Sequence, residues 1–330
     1  MHFVLDIGGN DFGPKEVILG AIEAVLADKS LKITLVGDEN LINNVLKEKK
    51  IAIDNFSIID AKNTFSNSTS PTEILKGNEE TSLYKALMAI REDENIDAFL
   101  TCGSTGATLV GSMFKIGRIQ GIKRPCLMAT VPSRTGSLVR VLDIGANMDA
   151  KPEYLYQYAL MVNEFLKVQG VENPRIGLLN VGKEDEKGNQ LTHETYELLK
   201  GNESLNFIGN IEADHILKGE TDAVICDAFA GNVFIKTLED TAYFVSDEFQ
   251  KAIKKNIFTK FGALFQLPHL KKIKNLFKYA NQASAPLLGI KKMVIKMHGK
   301  SSANNVKFAI LEARNFVKGN LIEKIENSIK

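Results

Sequence analysis

Apolar runs alternate along the chain with longer amphipathic stretches. The runs at 3–7 (FVLDI), 32–38 (KITLVGD), 97–102 (DAFLTC), 138–144 (LVRVLDI), 175–181 (RIGLLNV), 206–211 (NFIGNI) and 222–227 (DAVICD) are short, many of them rich in β-branched residues, and read as strands. The stretches at 14–28, 41–50, 81–93, 152–170, 191–201 and 233–249 read as helices. This order predicts an α/β fold with a mostly parallel sheet covered by helices, one unit over 1–330, with two lobes as the alternative. The polar, turn-rich segment 62–73 (KNTFSNSTSPTE) reads as a surface loop. VLDIG occurs twice, at 4–8 and 141–145, each time followed by an Asn two residues beyond that glycine. No longer periodicity surrounds the echo, so it is not a repeat architecture but two strand ends built alike.

In open α/β sheets ligands bind beyond the carboxyl ends of strands. Here those ends carry Gly with Asn, Asp, Ser, Thr or Lys. The loops are 102–107 (CGSTGA), 143–152 (DIGANMDAKP), 180–189 (NVGKEDEKGN) and 227–232 (DAFAGN). Gly103 and Gly106 flank Ser104 and Thr105 just before a helix, which suits close approach of backbone N–H groups to an anion. A Ser/Thr-capped turn is the plain alternative. Lys151 and Lys183 are the cationic candidates, with surface lysines as the plain alternative. His298, at a strand end beside Gly299, is a candidate acid, base or phosphate donor. Asn147, Asn180, Asp227 and Asn232 occupy equivalent strand-end positions, and all seven side chains are expected around one cleft.

Charge adds one feature. The net charge is +1, yet residues 251–300 hold twelve lysines and no acid, which leaves about −11 for the rest. Such a stretch points to an acidic partner or an anionic surface, or to a plain solvated face. Within 249–278, Pro268 divides two amphipathic helices, predicted to form a protruding hairpin. Phe261, Leu264, Phe265 and Leu267 make an apolar tip with a basic collar, the pattern of a segment that dips into an anionic leaflet. Packing on the core or across a dimer interface is the alternative.

Several chemistries are absent from the pattern. The three cysteines stand alone and read as reduced thiols, and the five histidines lack metal-ligand spacing. Neither a Walker A loop, a dinucleotide fingerprint nor a nucleophile elbow is present. No apolar run approaches the roughly 18–20 residues that span a bilayer, and no signal-peptide pattern is seen. The expected site therefore binds an anion and positions it without a covalent enzyme intermediate.

Ordered blocks then carry a resemblance: 33–39 (ITLVGDE), 117–125 (GRIQGIKRP), 142–153 (LDIGANMDAKPE), 177–192 (GLLNVGKEDEKGNQLT), 206–213 (NFIGNIEA), 227–239 (DAFAGNVFIKTLE), 285–290 (APLLGI) and His298-Gly299. Along nearly its whole length the chain resembles the bacterial phosphate acyltransferases of phospholipid synthesis (the PlsX type). The resemblance implies a three-layer α/β/α fold akin to isocitrate and isopropylmalate dehydrogenases, a homodimer, and no metal, nicotinamide or other cofactor. It implies transfer of a long-chain acyl group from acyl-acyl carrier protein to inorganic phosphate. With the strand-end positions above, catalytic roles are expected for Lys151, Lys183, Asn180, Asp227 and His298. Phosphate contacts are implied for Asp6, Gly9, Gly103, Ser104, Thr105, Gly106, Asn147 and Asn232. The expected partners are acyl carrier protein, phosphate and an anionic membrane surface, without nucleic acid, and the expected place is the cytoplasm at the inner face of the cell membrane. An acyl-CoA:phosphate transferase of phosphotransacetylase type and a non-catalytic membrane-docked paralogue are the alternatives. The latter arises because Asn10, Phe12 and Ser104 depart from the family pattern, as Ala283 and Ser284 also do.

Overall fold

The computed structural model describes residues 1–51, 53–255, 259 and 284–330. Eleven strands form one sheet: β1 (His2–Asp6), β2 (Lys32–Gly37), β3 (Phe56–Asp60), β4 (Ile96–Thr101), β5 (Cys126–Pro132), β6 (Leu138–Leu142), β7 (Arg175–Leu179), β8 (Asn206–Ile211), β9 (Ala223–Ile225), β10 (Ala285–Leu288) and β11 (Met293–Lys296). The helices are α1 (Pro14–Ala27), α2 (Glu39–Glu48), α3 (Ser82–Glu92), α4 (Thr105–Gly111), α5 (Pro152–Val168), α6 (Gln190–Lys200), α7 (Ala213–Ile216), α8 (Ala228–Lys254), α9 (Ala303–Lys318) and α10 (Leu321–Ile329).

Helices cover both faces, because strand residues alternate between two apolar layers. Phe3 and Leu5 pack into a core shared with α1, α2, α5, α6, α9 and α10, while Val4 enters a second core under α3 and α4. A third cluster lies between β5, β6, β8 and β9 and the helices α7 and α8. The first core runs continuously from Phe3 to Ile176 and Leu178, so both ends of the sheet share one interior.

The strand order is β3-β2-β1-β4-β11-β10-β5-β6-β9-β7-β8. The first five strands run parallel to one another, as do the last four. Between them β10 is antiparallel to β11 and β5, and β5 to β6, so the two half-sheets point in opposite directions. Unstaggered, they would put their carboxyl ends on opposite edges. The registers prevent this. Lys296 pairs with Ala285, Leu287 with Leu127, and Met128 with Leu142. Followed across the sheet, the last residues of β11 and β6 stand at nearly the same height. The strand-end loops of both halves therefore meet near the middle of the sheet.

All seven strands read from the apolar runs are present, within a few residues. The strand expected before His298 is β11, and three strands escape the pattern. β3 is an edge strand with a mixed burial pattern. β5 (CLMATVP) is thin in β-branched residues, and β10 is four residues long with Pro286 inside it. The helix expected at 233–249 spans 228–254, because Asp227 caps it by accepting from Ala230 N (2.9 Å). Residues 228–232, read as loop, are thus its first turn. Segment 62–73 is mostly irregular, with a bridge from Asn63 to Thr81 and a 3-10 turn at Pro71–Leu75. Of the expected hairpin at 249–278, the part through 254 continues α8; Phe261, Leu264, Phe265 and Leu267 lie outside the described residues.

Gly231 is where α8 meets β6 most closely. A Cβ there would stand 1.9 Å from Asp143 O and 2.9 Å from Cys226 Sγ. Alanine in a helix ordinarily gains about 1 kcal/mol over glycine. Here the clash is with backbone, and forced overpacking costs about 1–3 kcal/mol or more. Gly231→Ala is expected to lower the urea midpoint with an unchanged m-value. A midpoint at or above wild type would show that α8 is free to shift away.

Candidate active site

The two VLDIG turns have one local structure. Asp6 and Asp143 each end or directly follow a strand, each is buried, and each accepts from the N–H two residues on: Gly8 N to Asp6 Oδ1 (2.9 Å) and Gly145 N to Asp143 Oδ1 (3.1 Å). Asp6 Oδ2 also accepts from the Thr101 hydroxyl at 2.8 Å. Asp143 takes four further bonds, from Leu127 N (3.1 Å), Ala146 N (3.0 Å), and Asn147 N and Nδ2 (both 2.9 Å). Burial pushes both carboxyl groups above the ordinary range, and these donors pull them back. Four residues after each aspartate an Asn turns inward. Asn147 Nδ2 reaches Pro125 O (2.7 Å) and Tyr158 Oη (2.8 Å), and Asn10 Nδ2 reaches Ser301 O (2.8 Å).

Between β5 and α8 lies a cavity of about 890 Å³. Its floor is Leu127, Ala129 and Val131, alternate residues that share one face of β5. Its roof is the inner stripe of α8, Ile235, Leu238, Ala242, Val245, Phe249 and Ile253, spaced by three or four residues. One wall is polar: Thr105 and Gly106 of α4, Asn232 of α8, and Lys296 and His298 at the end of β11. Ile144 and Gly145, beyond β6, complete that end, so both half-sheets contribute.

His298 Nδ1 accepts from Lys300 N at 3.0 Å, which assigns the proton of the neutral ring to Nε2. Burial lowers its pKa, with Glu239 opposing and Lys296 and Lys236 assisting. Lys296 is 9% exposed, and its ammonium donates to Cys102 O (3.2 Å) and Met297 O. Burial pulls its pKa down.

Of the residues singled out from sequence, Thr105, Gly106, Asn232 and His298 line the cavity. Ser104 caps α4, accepting from Ala107 N (3.4 Å), and Asp227 caps α8. Gly103 N donates to Thr101 Oγ1 (2.8 Å), and Gly9, at φ 71°, packs so tightly on Gly103 that a Cβ would lie 2.5 Å from its Cα. Asp6 and Asn147 are spent on internal bonds behind the wall. Lys151 precedes α5 and is exposed, Lys183 lies 3.8 Å from Glu220, and Asn180 bonds Val181 N and Lys187 O; none of the three lines this cavity. Pattern reading missed Lys296. Its signal was a lysine closing the apolar strand MVIK, where burial leaves no room for an ordinary surface amine. Of the departures from the family pattern, Asn10 replaces a glycine with an inward bond, and Phe12 points outward at 61% exposure.

The chain matches the family described as "Fatty acid synthesis protein" over residues 1–324. It is 40% identical to the phosphate acyltransferase of Bacillus subtilis (strain 168) over 332 residues, covering 100% of this chain and 98% of that one. It is 39% identical to the phosphate acyltransferase of Halothermothrix orenii, covering 100% and 98%. Among solved structures it is similar to a phosphotransacetylase from Streptococcus pyogenes (TM-score 0.64, 17% identity, covering 96% and 94%). It is also similar to a 4-hydroxythreonine-4-phosphate dehydrogenase from Klebsiella pneumoniae (TM-score 0.51, 12% identity, covering 96% and 99%). At those identities the structures establish the fold. The full-length sequence matches establish the family.

The His298 ring is expected to titrate below its ordinary 6.5, read by the NMR shift of a resonance that His298→Asn removes. A depressed folded-state pKa makes protonation favour unfolding, so the contribution of His298 is kept above pH 6.5 and lost as pH falls below it. Wild type should therefore lose stability relative to His298→Asn between about pH 7 and 5. A ring titrating above 6.5 would mean that the imidazole faces solvent or an acid.

Proposed function

From the chain's membership of the phosphate acyltransferase family, we propose that it transfers a long-chain acyl group from acyl-acyl carrier protein to inorganic phosphate, for phospholipid synthesis. The observation that carries this reading is the cavity, predominantly apolar where β5 faces α8, with Thr105, Gly106, Asn232, Lys296 and His298 gathered where α4, α8 and β11 meet. An acyl chain lies along the apolar wall, each buried methylene contributing about 0.8 kcal/mol. Phosphate sits at the polar end among Thr105, Gly106, Asn232 and His298.

The chemistry needs no enzymic nucleophile. A phosphate oxygen attacks the thioester carbonyl carbon, the tetrahedral oxyanion collapses, and the C–S bond breaks to release the thiol and acyl phosphate. Positioning of the two reactants supplies much of the acceleration. His298, neutral with its proton on Nε2, donates to phosphate or to the oxyanion. The apolar roof limits water at a product that water would hydrolyse. The lysine-rich stretch 251–300 suits an acidic carrier protein as donor.

Pairing of two copies is part of this reading, supported by Phe229, Val233 and Phe244, exposed along the outer side of α8. So is peripheral attachment to the cytoplasmic membrane face, which rests on the sequence of 249–278. Among the described residues no helix is long and apolar enough to cross a membrane. The roles first assigned to Lys151, Asn180, Lys183 and Asp227 remain proposals at the carboxyl ends of the second half-sheet, testable by alanine scanning.

The direct assay is phosphate-dependent thiol release from acyl-carrier protein and from acyl-CoA. A higher kcat/KM is expected on the carrier, and equal or better turnover of acyl-CoA would favour the phosphotransacetylase-type alternative. His298→Ala should lower kcat about 10²-fold or more. Ala242→Glu, inside the apolar roof, should raise KM for long acyl chains while sparing short ones.

For the membrane, wild type should co-sediment with anionic liposomes and Leu264→Glu/Phe265→Glu should not. Equal sedimentation of the two proteins removes that attachment.

A further inference from the structure

Lys296 is unused in the reaction described above, yet its setting is that of a proton donor. It stands on the cavity wall at the end of β11, buried, with its ammonium donating to two carbonyl oxygens, Cys102 O and Met297 O. An ammonium has three protons, so one remains uncommitted. It forms no ion pair among the described residues. The groups facing it are Asp6 of β1, Asp11 in the loop after β1, the Cys102 thiol beyond β4, and His298 two residues along its own chain. Asp6 is held by Gly8 N and the Thr101 hydroxyl, and the Cys102 thiol is pushed up to about 11, so it stays protonated. What opposes the charge on Lys296 is loss of water.

The geometry points to Lys296 as the general acid that protonates the departing thiolate. This rests on the phosphorolysis reading above. Phosphate enters as the dianion HPO₄²⁻ and its oxygen bonds the carbonyl carbon. As the C–S bond breaks, its electron pair stays on sulfur and takes a proton from Lys296 Nζ, giving free thiol and a neutral amine. The acyl phosphate still carries the proton that phosphate brought, and the amine removes it. Lys296 is restored, and the net change is thioester plus HPO₄²⁻ to thiol plus acyl phosphate dianion. An alkyl thiol such as cysteine has a pKa of about 8.5 and an unperturbed lysine about 10.4, so a free lysine would give up its proton uphill. Burial shifts Lys296 in the direction that narrows that gap.

The test varies the leaving group. Wild type, Lys296→Met and Lys296→Arg are compared on one acyl chain carried as an alkyl thioester (on carrier protein and on pantetheine) and as a thiophenol thioester, whose thiolate leaves unaided. Both variants are expected to lose about 10²-fold or more in kcat on the alkyl thioesters and about tenfold or less on the aryl thioester. Arginine keeps the charge but holds its proton, so it should resemble methionine here. Thermal midpoints near wild type check the fold. Equal losses on alkyl and aryl donors, full rescue by arginine, or unchanged turnover of alkyl donors would each overturn the proposal. A wild type active on acyl-pantetheine but silent on acyl-carrier protein would instead remove the carrier reading and leave the Lys296 comparison readable.

Discussion

The buried carboxylate of Asp143 is the knot on which the centre of the molecule depends. Its side chain accepts from Leu127 N of β5 and from the loop at Gly145, Ala146 and Asn147. Its own N–H donates to Cys226 O (2.9 Å) at the end of β9, and its carbonyl is the surface on which Gly231 of α8 rests. Asn147 extends the knot to Tyr158 of α5. Bonds to a charged acceptor contribute about 1.5–3 kcal/mol each, while burying an ion costs several kcal/mol. With its pKa held above the ordinary range by burial, the five bonds offset that desolvation only in part. What remains is geometry: five donors fix one backbone path where four elements join.

That path matters because the two half-sheets point in opposite directions. The antiparallel pair β10 and β5 turns the sheet over, and the stagger of its registers brings the end of β6 level with the end of β11. Asp143 begins one loop there, and Lys296 and His298 begin the other. A cavity that is apolar along one side and polar at one end follows from the layering. β5 offers Leu127, Ala129 and Val131 on its outer face, and α8 spans them without filling the space.

Much of this was legible in the chain. The α/β alternation, the strand-end loops and the twin VLDIG turns all read correctly, because each depends on local pattern. The reversal of direction did not, since it hinges on β5 and β10, strands with little β-branched character. The candidate site was legible in part for a related reason. Glycine-rich loops announce where backbone bends, and Thr105, Gly106, Asn232 and His298 followed from that. Whether a polar side chain points into the cavity or behind its wall depends on tertiary contacts. Asn147 and Asp6 look as functional in sequence as His298 does, yet the Asn147 amide N–H groups and the Asp6 carboxylate bond inside the fold and do not line the cavity. Lys296 was hidden by the opposite error, a charge at the end of an apolar run that reads as the place where a strand reaches water.

α8 has a mechanical consequence. Of its 27 residues only Ala228, Gly231 and Ile235 are buried, all within the first two or three turns. Among the described residues the helix is clamped at one end, where it meets Asp143, and lifted off the sheet beyond. From Ile235 to Ile253 the arm extends about 27 Å. Rotation of a few degrees at the clamp displaces the far end by a couple of ångströms without bending the rod. The width of the groove is thus governed from its base, by contacts beside the candidate site.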